Sequence, residues 1–191
     1  MNIEQAKAVA TRLFHARKDE LEINPGPTLS PAMISAFRKS IGFPLPSELR
    51  AWLTVCNGSP LVAGLWVARF LGVRDKSKAF LDIGGSFEHQ EWRTQRWIPF
   101  ADDGCGQTFL LVPCKALNRS VVCFHEGTSG AEEIEYVVAS SLWHFLVGAL
   151  SERVSGGEED SADSWPFDRK STLVLDPDLK RVRGFQFPWQ A

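Results

Sequence analysis

The chain has 191 residues, is 44% hydrophobic, and sets 21 basic against 23 acidic side chains for a formal net charge of −2. A chain of this length buries roughly 70% of the surface its unfolded form exposes, so a core forms without disulfide or metal staples. Near-neutral charge supplies no global field for nucleic acid or an anionic membrane, and no apolar run approaches the ~20 residues of a membrane span.

Ile3, Ala6, Val9, Ala10, Leu13 and Phe14 recur at three- and four-residue spacing and predict a first amphipathic helix. This N-terminal stretch has no signal-peptide pattern. "INPGP" interrupts it, and Ser30 followed by Pro31 reads as an N-cap with proline at the first helical position. Ile34, Phe37 and Ile41 carry that second helix to a stop at Gly42. A third begins at Pro46 or Ser47, lays Leu49, Trp52, Leu53 and Cys56 on one face, and closes at Asn57–Gly58.

From Leu61 the rhythm changes. "LVAGLWVARFLGV", "QTFLLVP", "SVVCFH" and "IEYVVA" are short, β-branched and aromatic, and predict strands. "SLWHFLVGALSERV" returns to helical spacing, with Ser140 or Ser141 as cap. Residues 155–164, "SGGEEDSADS", read as an acidic linker or loop. Residues 165–191 read as a strand-like tail, strand–turn–strand through "STLVL", "DPDLK" and "RVRGFQF", docking on the domain formed by residues 1–154. The order predicts an α+β fold: a central mixed, largely antiparallel sheet, helices N-terminal to it, and a helix after the main strands.

The segment "RWIPFADDGCGQTFLL" concentrates the residues that invite chemistry. Cys105 with His125 or His144 as base would be a nucleophile, but Asp102 and Asp103 beside it oppose thiolate formation. Gly104 and Gly106 lack the third glycine and following helix of a phosphate cradle. Asp102 and Asp103 read as a solvated acidic turn. Cys105, Cys114 and Cys123 lack the close pairing of structural zinc ligands, although Cys123 and His125 share a strand face. No catalytic residue, metal site or cofactor is therefore expected, and the four cysteines, with Cys56 as packing, suit a reduced cytoplasmic protein. Of the seven tryptophans, Trp52 and Trp143 belong to core faces, Trp66 and Trp97 lie in or beside strands, and Trp165 and Trp189 flank the tail.

Three stretches in order resemble a known family. "IGFPLPSELRAWLTVCNG" resembles the "LG-x-x-LP … NG" segment of the SMI1/KNR4 (SUKH) superfamily. "WIPFADDGCGQTFLLV" is similar to its "W-x-P-F-A-x-D-G-x-G-[DN]-x-[FY]" segment, with Gln107 in place of Asp or Asn, and "SSLWHFLVGAL" fits its later helix. The resemblance runs from about Pro31 to Leu150 and implies an α+β domain without a catalytic constellation. In that pattern Trp97, Pro99 and Phe100 anchor the strand start, while Gly104 and Gly106 allow the turn.

The resemblance also implies a protein partner. Bacterial members are regarded as immunity proteins that bind and neutralise toxins, and fungal relatives as scaffolds. The expected function is thus a cytoplasmic, non-enzymatic binding module with a toxin domain as partner, and neither nucleic acid nor membrane bound directly. The alternatives are a scaffold or adaptor of the same fold and a small cysteine-dependent or hydrolytic enzyme. Acidic groups steer toward a basic cleft, so Asp102, Asp103, Glu132, Glu133 and Glu135 are the candidate partner-binding residues. Glu158, Glu159, Asp160 and Asp163 form a further acidic run in the linker.

Overall fold

A computed structural model describes residues 1–26, 29–59, 62, 67–73, 83, 90–126, 134–151 and 169–190. Helix α1 (Ile3–Arg17) opens on a capping box in which Asn2 accepts from Gln5 N at 2.9 Å and Gln5 accepts from Asn2 N at 3.0 Å. Helix α2 (Pro31–Ile41) is capped by the Ser30 hydroxyl on Met33 N, at 3.2 Å, and stopped by Gly42 at φ +84°. Helix α3 (Ser47–Val55) begins directly after Pro46. Beyond it, Asn57 grips the Val73 backbone, accepting from its N–H at 2.8 Å and donating to its carbonyl at 3.2 Å.

The sheet contains β1 (Arg69–Phe70), β2 (Ile98–Asp102), β3 (Thr108–Cys114), β4 (Arg119–His125) and β5 (Tyr136–Ala139), ordered as in the sequence. Each described pair is antiparallel, so the sheet is a meander and has no parallel component among the described strands. The β2–β3 register shifts between Pro99 and Ala101. Proline has no N–H to donate to a ladder, which is why it settles at such an irregularity.

Helices cover both faces. Helix α5 (Leu142–Ser151) is buried at every position from Leu142 to Leu150 and packs against α1. Phe145 meets Phe100 and Phe109 of the sheet at 5.2 and 5.1 Å between ring centroids. Helix α4 (Gln90–Gln95), which the hydrophobic spacing did not predict, sends Trp92 onto His125 on the opposite face, at 5.1 Å. Trp52 and Trp143 are core residues, and Trp97 is buried beside β2. Trp66 and Trp165 lie outside the described residues.

The tail differs from its strand-like reading. "STLVL" falls in helix α6 (Arg169–Leu175), and 3-10 turns follow at Pro177–Arg181 and Pro188–Gln190. Its β-branched residues are a weak prior that tertiary contacts override. Thr172 and Asp176 are buried, while Val174 between them is 73% exposed, a helical rather than alternating pattern. "RVRGFQF" forms no ladder, although Gln186 accepts one hydrogen bond from Val137 N at 2.9 Å. Phe187 and Trp189 stack on each other at 5.0 Å, and both pack partly buried against the core. The linker at 155–164 lies outside the described residues.

A buried carboxylate ties the tail to the domain. Asp176 accepts from Ser140 N and from the Ser140 hydroxyl, each at 2.6 Å, and is itself 2% exposed. Outside it, Arg119 donates to Ser140 O at 3.0 Å and pairs with Asp178 at 2.6 Å. Replacing Asp176 by Ala leaves the Ser140 donors unpaired in a dry site and is expected to cost about 2–4 kcal/mol. Asp178→Ala, nearer the solvent, is expected to cost less than about 1 kcal/mol. Urea unfolding of the two variants checks the order.

Candidate functional site

The acidic turn is built differently from its solvated reading. Asp102 is only 9% exposed, pairs with Arg69 at 2.6 Å and accepts from Gly104 N at 2.9 Å. Asp103 accepts from Cys105 N at 2.8 Å and Gln107 N at 2.9 Å. Both carboxylates therefore knit the turn from inside, and Gly104 and Gly106 complete it at φ +77° and +107°. Trp97, Pro99 and Phe100 lie buried at the start of the strand that leads into it.

Glu132, Glu133 and the acidic linker lie outside the described residues, whereas Glu135 sits just before β5. Desolvation, followed by a hydrogen bond and like charge from Glu126, pushes the Glu135 carboxyl up to about 7. Around neutral pH it is partly protonated, a weak source of steering charge.

The nucleophile reading finds its residues in different settings. Cys105 is exposed, while Cys56, Cys114 and Cys123 are buried. Burial pushes the Cys56 thiol up to about 12. A Ser/His/Asp cluster does exist at Ser141, His144 and Asp176, but its geometry is structural. The Ser141 hydroxyl at 2.8 Å and Asp176 at 3.8 Å both face Nδ1 of His144, whereas Nε2 faces the Met1 carbonyl at 3.0 Å. A catalytic serine and its orienting acid sit on opposite ring nitrogens. Here Nε2 is engaged by a backbone carbonyl, which can only accept, and the ring is 3% exposed. Among the described residues no group of three or more metal-binding side chains converges.

An open groove of about 610 Å³ lies at one end of the sheet. The α5 side of the sheet carries Phe109 and Leu111 of β3, with Phe124 and Val122 opposite them on β4. Phe145 of α5 meets Phe109, and Pro113, further along the same strand, is exposed. Pro113 lines the groove together with Ile98 and Leu111, which lie buried behind it.

Three elements wall it. One is the "FPLPS" segment from Phe43 to Ser47, whose two prolines fix the backbone. Another is the turn carrying Lys115 and Asn118, and the third is the entry to β2 at Arg96. Glu48, the one acid among the described lining residues, turns away to accept from Leu142 N at 2.9 Å, and burial pushes its carboxyl up. Two smaller hollows, of about 540 and 400 Å³, adjoin the groove through Pro44.

The meander with helices on both faces defines an α+β protein that presents an open groove. The chain belongs to the SMI1 / KNR4 family (SUKH-1), whose family model matches residues 28–148. No curated protein matches the chain.

Two measurements follow from these environments. Under native conditions a maleimide should add once, at Cys105, and four times in denaturant, with the native adduct absent from Cys105→Ala. Intact mass spectrometry reads the count. For Glu135, the folded pKa of about 7 exceeds the ordinary 4.5, so the folded chain holds a proton that the unfolded chain releases. The stability this contributes is complete below the unfolded value and is lost as pH rises through the folded one. Acidification from about pH 8 to 5 should raise the melting temperature of wild type more than that of Glu135→Gln.

Proposed function

We propose that the protein is a non-enzymatic binding module of the cytoplasm, an immunity protein that binds and neutralises a toxin domain. Family membership supports a protein partner. The observation that carries the reading is a convergence on one groove: Phe43–Glu48, which includes the family-patterned Leu45 and Pro46, meets Arg96 and Ile98, which flank the patterned Trp97 and are distant from that segment in sequence.

The groove suits binding for a physical reason. Its prolines are already fixed and its aliphatic floor already packed, so docking orders little that was free beforehand. At about 610 Å³ it accommodates a few side chains. A stable protein complex needs about 800 Å² from each partner, so the groove would be the centre of a contact spreading over α2. Asp102 and Asp103 are occupied within their own turn, which moves the proposed contact from the acidic set to this groove.

Co-expression with a neighbouring gene's product that is toxic when expressed alone tests the reading. Wild type should restore growth, and Pro44→Asp should not. Pro44 is exposed and lines all three hollows, so its replacement should change stability by no more than about 1 kcal/mol. Toxicity unchanged by wild type, despite soluble co-expression, counts against the immunity reading.

A further inference from the structure

The charge around the groove is lopsided. The chain as a whole carries slightly more acid than base, yet the three hollows that meet at Pro44 are lined by six cations: Arg38, Lys39, Arg50, Arg96, Lys115 and Arg119. Among the described lining residues Glu48 is the one acid, and it faces the α5 amide. Arg119 is held by Asp178. Among the described residues, no ion pair involves any of the other five cations. All five are exposed.

Arg96 adds an independent observation. It follows the last residue of α4 at φ +59°, in the left-handed region. Its N–H bonds Arg93 O at 3.2 Å, and Trp97 N bonds Trp92 O at 2.8 Å. That pair of bonds is the helix ending in which the left-handed position ordinarily holds glycine, because a β-carbon is strained there. The position holds an arginine, and its side chain lines the groove. Of the three non-glycine residues with positive φ among those described, Arg96 and Asn118 both line this groove. Asparagine adopts the conformation readily and arginine at a cost, and strained positions of this kind gather at functional sites.

We infer that the groove takes an acidic, extended peptide segment of a protein partner. The segment's apolar side chains seat on Pro46 and Pro113, half-buried and exposed respectively, and its carboxylates pair with Arg96 and Lys115 and, across Pro44, with Arg38 and Lys39. This rests on the groove being the partner surface, as proposed above, and specifies the partner's chemistry. Among the described lining residues the one aromatic, Phe43, is 8% exposed and gives base stacking no platform. Aliphatic and proline surface beside guanidinium and ammonium groups fits a peptide better than a nucleic acid.

Selection of a random twelve-residue peptide phage library on the immobilised protein tests this. Enriched peptides should be rich in Asp and Glu around one or two large apolar residues. As synthetic peptides they should bind Arg96→Gly and Lys115→Glu at least about tenfold more weakly than wild type. Arg96→Lys, which keeps the charge, should retain most of the affinity. Arg96→Gly should melt at or above the wild-type temperature, which separates lost binding from lost folding. Basic or uncharged peptides, no enrichment, or acidic peptides that bind both variants within about twofold of wild type would overturn the inference. Oligothymidylate binding more tightly than any selected peptide, and lost in the same variants, would assign the groove to nucleic acid and overturn it as well. Acidic peptides selected by a protein that fails to rescue from the toxin would leave the groove chemistry standing and remove the immunity reading. Rescue by a protein that selects basic peptides would do the reverse.

Discussion

The start of α5 is the constraint on which the rest of the molecule depends. This helix is apolar on every side and fully enclosed, so its first amides have no water to bond. They find acceptors in protein instead. Glu48 of α3 takes Leu142 N, Ser141 takes His144 N, and Asp176 of the tail takes the preceding Ser140 N. Acceptors from three places in the sequence therefore fix where α5 begins over the sheet. Glu48, which holds that start, also lines the groove, so the helix and the groove share a wall.

The same arrangement explains the tail. A helix buried from end to end needs cover on its outer side and partners for the polar groups at its base. Leu179 and Val182 join the core, and Asp176 supplies the acceptor. The buried His144 belongs to this junction too, with both ring nitrogens engaged. Ser141, His144 and Asp176 thus form a fastening between α5, the tail and the N-terminal residue.

Much of this was legible in the sequence wherever local chemistry dictates conformation. Ser30–Pro31 and Gly42 bracket α2 because a hydroxyl cap, a proline and a left-handed glycine each do one conformational job. Strands β3, β4 and β5 and helix α5 follow from β-branched runs and helical apolar spacing, and the family was readable from three short segments in order. The tail was misread because "STLVL" favours a strand by propensity, whereas Thr172 and Asp176 are chosen by contacts made elsewhere in the chain. Helix α4 is a single turn and a half with one large apolar anchor, Trp92, too short for periodicity to register. The basic groove was invisible for another reason: its cations are scattered from Arg38 to Arg119 and only folding gathers them. The acids drew attention instead because Asp102 and Asp103 are adjacent, and adjacency in sequence says nothing of whether a carboxylate is already occupied.

The single bond from Val137 to Gln186 has a consequence for solubility. A sheet edge is a row of unpaired donors and acceptors, a template for addition of a foreign strand. On β5 the tail backbone lies against that edge without forming a ladder, while the opposite edge strand, β1, is two residues long and is bridged on its outer side by Ser59. Each border therefore meets a further stretch of backbone. A protein built this way can accumulate in a crowded cell with little tendency to self-associate through its strands, leaving encounters with other chains to its surface side chains.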